Sequence, residues 1–221
     1  MFQETWSKMD EDISIINQNT RNEYIKNFFK KNFKKLLFII SIFLLILLSF
    51  FIYESLKKNK RYTLAKKYND IIINNKNYTN PYIIENLKFI IDKKDKVYSP
   101  LALYYLLDNN YINSQNDINL LFDKIISIKQ SNEKKHLIIF KKALFNLDNF
   151  TENQMLETLS PVINSDSVWK AHGLLLMAEF YLDKKELIKS KEFFTKVSEI
   201  ENLNQSIKQD VQKKLSREFS E

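Results

Sequence analysis

Three hydrophobic patterns follow one another along the chain. At the N-terminus Phe2, Trp6, Met9, Ile13 and Ile16 recur at spacings of four, three, four and three, with Glu4, Asp10, Glu11 and Asp12 between them. That spacing predicts a short amphipathic helix whose apolar stripe needs a docking surface. Its acidic residues fit a protein partner better than an anionic bilayer, and a tail that only brushes the membrane is the plainer alternative. At residues 36–53, LLFIISIFLLILLSFFIY, charge disappears for 18 residues. At ~1.5 Å per residue this stretch spans roughly 27 Å, about the hydrocarbon thickness of a bilayer. In lipid its backbone groups must pair internally, so it is expected to be one transmembrane helix. The polar segment before it is too long for a signal peptide, and SFFIYESL offers no small-x-small cleavage site, so a retained anchor is expected.

After the anchor the pattern becomes amphipathic. Residues 54–77 carry Leu64, Tyr68, Ile71 and Ile72 on one side, and residues 81–92 place Ile83, Ile84, Leu87, Ile90 and Ile91 at helical spacing. Residues 54–96 are read together as a juxtamembrane helical stalk, and residues 1–35 as the tail ahead of the span. Beyond position 97 helical segments begin near Ser99, Glu133 and Ser167, each followed by a second beginning near Asp117, Thr151 and Glu186. The first set is spaced by 34 and 34 residues and the second by 34 and 35. In the second helices Ile125, Leu159 and Phe194 fall in register, as do Ile128, Ile163 and Val197. A helix-pair repeat of this period is that of a tetratricopeptide array. The predicted fold is therefore all-α: a tail, one transmembrane helix, and a tetratricopeptide-like α-solenoid over residues 97–221. An unrelated array of helical hairpins is the competing architecture.

Residues 169–197, WKAHGLLLMAEFYLDKKELIKSKEFFTKV, pose a separate question, because the apolar run after Gly173 resembles the start of a second span. Glu179, Asp183, Lys184 and Lys185 cut it too short to cross a bilayer. It matches the tetratricopeptide pattern instead, with Leu174, Met177, Ala178, Tyr181, Ser190 and Phe194 at the large and small positions. The departures are Leu174 for an aromatic, Val197 for the usual Ala, Lys185 for a turn glycine and Asn202 for a terminating proline.

Composition narrows the function classes. With one glycine and three prolines in 221 residues, phosphate loops, dinucleotide fingerprints and hairpin-rich β-sandwiches are not expected, since each needs glycine for close approach or positive φ. The wealth of Lys, Asn and Ile also fits codon bias in an AT-rich genome. No cysteine is present, which removes disulfides and thiolate metal sites. The formal charge of +7 divides as +2 over residues 1–53, +6 over 54–96 and −1 over 97–221. The surplus thus flanks the apolar segment and suits anionic headgroups, whereas a nucleic-acid binder needs it on the folded domain.

No cluster announces a chemistry. His136 and His172 have no Asp, Glu or Cys at ligand spacing on the same turn, and a metal site needs three or four converging ligands. No serine lies in a strained elbow beside a His and an acid. The expectation is a non-enzymatic binding protein without cofactor, metal or small-molecule substrate. In a solenoid the first helices line the concave face. That face is expected at His172, Leu175, Glu179 and Leu182 and, one repeat earlier, at Leu137, Phe140, Leu144 and Leu147. The alternative is that these leucines belong to the core.

The acidic opening ETWSKMDEDISIINQN, the single span directly after a basic segment, and the closing VWKAHGLLLMAEFYLDKKELIKSKEFFTKV together resemble a known family. It is the ancillary subunit of the bacterial SecYEG translocon, a single-span inner-membrane protein with a periplasmic tetratricopeptide-like domain. The resemblance implies a cytoplasmic N-terminus and a periplasmic C-terminal domain. It also implies association with a SecYEG-type translocon, a membrane-anchored periplasmic chaperone and exported client proteins. Charge leaves the orientation open: Arg21, Lys26, Lys30, Lys31, Lys34 and Lys35 on one side balance Lys57, Lys58, Lys60, Arg61, Lys66 and Lys67 on the other. A scaffold for assembling another cell-envelope complex is the alternative function.

Overall fold

The computed structural model describes the backbone of residues 2–219, and the side chains of Glu23 and residues 25–219. The described residues form α1 (Phe2–Ile73), α2 (Asn80–Asp92), α3 (Tyr98–Asp108), α4 (Gln115–Ile126), α5 (Asn132–Phe145), α6 (Glu152–Ile163), α7 (Lys170–Asp183), α8 (Leu187–Ser198) and α9 (Gln205–Phe219), with no strand among them. The chain divides into two compact units, Met1–Tyr62 and Thr63–Glu221.

In the first unit every residue from 37 to 53 is exposed. Such a run of Leu, Ile and Phe in water is unfavourable by roughly 1.5–3 kcal/mol per large side chain. Ser49 donates its hydroxyl to the Leu45 carbonyl at 2.8 Å, so its polar group needs no outside partner. Among the described residues one helical stretch, Ile25–Ile73, is long and apolar enough to cross a membrane, with a mean hydropathy of 3.0 in its most apolar part. The backbone at Phe2, Trp6, Met9, Ile13 and Ile16 is helical, while the side chains of this expected docking stripe lie outside the described ones.

The second unit has two hydrophobic clusters. The first gathers Ile71 from the end of α1, Ile83, Leu87, Ile90 and Ile91 from α2, Leu103 and Leu106 from α3, and Phe122 and Ile125 from α4. Residues expected to form a stalk therefore contribute five of the 14 buried residues of this cluster, and the compact unit begins at Thr63 rather than near position 97. The physical reason is that α2 is amphipathic and buries its apolar stripe on α3. The second cluster unites Met155 and Leu159 from α6, Leu174, Met177 and Tyr181 from α7, Phe193, Phe194 and Val197 from α8, and Val211 from α9. The in-register trio Ile125, Leu159 and Phe194 is fully buried in all three helices.

Local signals start and stop these helices. Pro81 lies in the first turn of α2, where its missing N–H costs nothing. The Ser114 side chain caps α4 by accepting from the Asp117 amide at 3.3 Å. Thr151 and Gln154 cap α6 reciprocally, each side chain accepting from the other's backbone N–H. Four turns use left-handed residues: Lys94 (φ 52°), Asn110 (φ 53°), Lys185 (φ 60°) and Asn202 (φ 58°). Lys185 and Asn202 are two of the places where the sequence departs from the repeat pattern. At Lys185 the backbone closes a Schellman-type turn, the Glu186 amide donating to the Tyr181 carbonyl at 2.9 Å.

Helices pack mainly on their sequence neighbours, most extensively α2 with α3 and α7 with α8. Both hairpins carry a buried serine that donates across the pair: Ser99 Oγ to the Ile90 carbonyl at 2.9 Å, and Ser190 Oγ to the Ala178 carbonyl at 2.8 Å. The expected partner of α3 was α4, but its closest partner is α2. Between α6 and α7 the approach depends on Gly173, where an added Cβ meets Ile163 Cγ2 at 3.0 Å and Val162 Cγ1 at 3.3 Å. Its apolar helix is the buried centre of the second cluster.

Candidate functional site

The expected binding face draws on α5 and α7, which touch each other. The His172 ring lies 5.4 Å from Trp169 and 6.0 Å from Phe140, and Phe140 stacks on Trp169 at 5.8 Å. The three rings thus join the start of α7 to the middle of α5, as offset and edge contacts between aromatic groups do. Leu175 and Leu182 from α7, and Phe140 and Leu147 from the α5 side, are half-buried against the second core cluster. Leu137 is half-buried, and Leu144 is 49% exposed. Of the eight residues, Leu144 offers the most apolar surface. Glu179 is engaged within the fold: its carboxylate pairs with Lys214 of α9 at 2.6 Å.

Two other carboxylates also make contacts between helices. Glu133 accepts from the Ser167 hydroxyl at 2.8 Å, 34 residues away, and Glu152 pairs with Lys189 at 2.8 Å, 37 residues away. Glu179 and Lys214 are 35 residues apart. These contacts join α5 to the turn ahead of α7, α6 to α8 and α7 to α9, while other polar contacts between helices span 19 to 32 residues. A half-buried amide cluster joins α4 to the end of α5. Asn146, fully buried, accepts from Gln115 and exchanges hydrogen bonds with Asn119 at 2.8 and 3.0 Å, and its amide also donates to the Lys142 carbonyl at 2.7 Å. A satisfied network of this kind specifies how helices dock.

Next to the aromatic trio a cleft of about 900 Å³ opens where the ends of α6 and α8 meet the starts of α7 and α9. Ile163, Val168, His172, Phe193, Leu203 and Ile207 supply its apolar lining, and Val168 is 71% exposed. Sequence reasoning missed this cleft because it assigned no helix after Asn202. The signal was present: Ile207, Val211, Leu215 and Phe219 recur at intervals of four, the stripe by which α9 joins the second cluster.

Three titratable groups are displaced from their ordinary values by their packing and hydrogen bonds. The Glu152 carboxyl is kept below the ordinary carboxylate range by the hydrogen bond from Lys189 and then by that from Tyr181. Burial, followed by the hydrogen bond to Glu152, pushes the Tyr181 phenol up to about 12. Burial likewise pushes Tyr104 up to about 12, under the Lys141 ammonium 3.9 Å from its ring centre. Phenols held protonated this firmly are poor proton-transfer groups near neutral pH. The Nδ1 atoms of His136 and His172 are enclosed without a hydrogen-bond partner. Among the described residues no group of three or more His, Asp or Glu is gathered to hold a metal ion. Comparison with family models, with curated proteins and with solved structures finds no match.

Proposed function

We propose that the protein is a non-enzymatic, membrane-anchored scaffold with a tetratricopeptide-like α-solenoid, binding partner or client proteins through the α5 and α7 face. In this reading residues 36–53 anchor the chain in a bacterial inner membrane, with the N-terminus cytoplasmic and the helical domain periplasmic. The partners are a SecYEG-type translocon, a membrane-anchored periplasmic chaperone and exported clients. The observation that carries the reading is the pairing of α5 with α6 and of α7 with α8, in a chain that also has an exposed apolar stretch long enough to cross a membrane. Stacked units of one period present a continuous face, and that is a binding device rather than a reaction centre. The partner assignment rests on the resemblance of the acidic opening, the span and the closing stretch to the ancillary translocon subunits.

Photo-crosslinking from Leu144 and Val168, followed by purification from native membranes in mild detergent, tests the reading. Recovery of translocon or chaperone subunits is expected. Recovery of only division or outer-membrane assembly proteins favours the alternative envelope scaffold and removes the translocon assignment. A topology reporter fused at Glu221 is expected to be active only outside the cytoplasm.

A further inference from the structure

The α2 hairpin presents a surface that the protein-binding reading leaves unused. Phe89 is 43% exposed on α2, and two ammonium groups gather on its ring: Lys67 from α1 and Lys93 from the end of α2, each 4.3 Å from the ring centre. Lys94 and Lys96 follow in the same exposed turn. Among the described residues none of these four lysines forms an ion pair with a carboxylate. Of the neighbouring acids, Glu85 stands one turn before Phe89 on α2, and the other three have partners. Asp70 accepts from Tyr78 and Asn74, Asp92 pairs with Lys124 at 2.7 Å, and Asp95 accepts from the Val97 and Tyr98 amides. The result is an exposed aromatic ring with two ammonium groups gathered on it.

Structural roles account for part of this. Cations favour a helix C-terminus, which explains Lys93 and Lys94. They do not explain why a large ring is left in solvent or why Lys67, on another helix, converges on it. An aromatic ring with lysines around it matches the membrane–water interface, where the ring sits among headgroups and the ammonium groups meet anionic phosphates. Charge distribution points the same way: the +6 surplus of residues 54–96 is confined to the stretch directly after the apolar segment, and residues 97–221 carry −1.

We propose that the Phe89, Lys67 and Lys93 patch of the α1–α2–α3 hairpin region docks on anionic phospholipid headgroups, laying this end of the helical domain on the bilayer surface. The proposal rests on the membrane anchoring described above. The chain lacks cysteine, so a single Phe89→Cys substitution in the full chain carries a nitroxide label, with Ile188→Cys, at an 88% exposed site on α8, as the reference. The proteins are reconstituted into phosphatidylcholine vesicles with and without phosphatidylglycerol, and collision with oxygen is compared with collision with a water-soluble nickel chelate. At position 89 the oxygen-to-nickel ratio is expected to rise several-fold over position 188 when phosphatidylglycerol is present. The rise is expected to be lost in phosphatidylcholine alone and in the Lys67→Glu/Lys93→Glu background. A label at Lys96→Cys, which keeps Phe89, is expected to show the same lipid dependence. Vesicle flotation is read in parallel. A chain that floats with position 89 as aqueous as position 188 overturns docking but leaves anchoring intact. A chain that does not float overturns both. Protection that is equal in the two lipid compositions, or that appears only with an added acidic protein, overturns the assignment to anionic lipid.

Discussion

Residues 37–53 of α1 and helix α7 are both runs of large apolar side chains, yet the first is exposed throughout while α7 buries eight of its 14 residues. The difference lies in what stands between the large residues. Helix α7 interleaves Ala171, Gly173 and Ala178, all buried, with Leu174, Met177 and Tyr181, so α6 and α8 approach closely and protein supplies its apolar surroundings. The α1 stretch is Leu, Ile and Phe on every side, with Ser as its only small residue. It has no smooth face for a neighbouring helix and suits a solvent that is itself apolar. Hydrophobicity alone does not separate a span from a core helix, whereas the placement of small residues and charges does.

The strongest way to break the comparison is to give α1 the charges that α7 has. Leu44→Arg with Leu47→Arg places two cations near the centre of the apolar stretch, at a cost of about 3 kcal/mol each. Flotation with vesicles and resistance to carbonate extraction are expected to be lost, while the helical content of the domain is kept. Next in size, Gly173→Leu removes the smooth face of α7. With Ile163 Cγ2 only 3.0 Å from the first added carbon, it is expected to destabilise the domain by about 2–3 kcal/mol in urea titration. Lys185→Gly acts in the opposite direction. It relieves a non-glycine left-handed residue at the end of α7 (φ 60°) and is expected to raise stability by about 0.5–1 kcal/mol, read as an increase in Tm.

The smallest expected effect is on pH dependence. Glu152 is lowered from 4.5 by Lys189 and then Tyr181, so its contribution is present above that unfolded value and lost as pH falls through its lower folded pKa. Tyr181 is raised from 10.0 to about 12, so its contribution is present below pH 10 and lost as pH rises toward 12. A Tm that is level between these limits and declines on both sides is expected, and Glu152→Gln is expected to flatten the acid limb.

Where an apolar stripe met a strict period, the fold was legible. The Ile125, Leu159 and Phe194 register needs only 3.6-residue spacing to predict burial, and all three are fully buried. Which stripe meets which was not legible. Nothing local to Ile83 or Leu87 says that α2, rather than α4, closes against α3, because that choice depends on non-local fit around Ala102 and the Ser99 hydrogen bond. The surroundings of the residues expected on the binding face were only partly legible for the same reason. His172 and Phe140 do come together, but the engagement of Glu179 depends on Lys214, on a helix whose polar composition hid its stripe.

Helix α9 joins this domain through one fully buried residue, Val211, and a few half-buried ones. So light an attachment lowers the opening free energy of α9, and its local unfolding is expected while α7 and α8 stay closed. Each opening uncovers Phe194 and frees the Glu179 carboxylate, turning a buried seam briefly into adhesive surface. Amide exchange is therefore expected to be graded along the domain, fastest in α9 and slowest in α7. Helix α9 would then behave as a latch over Phe194, open only for the lifetime of each local unfolding event.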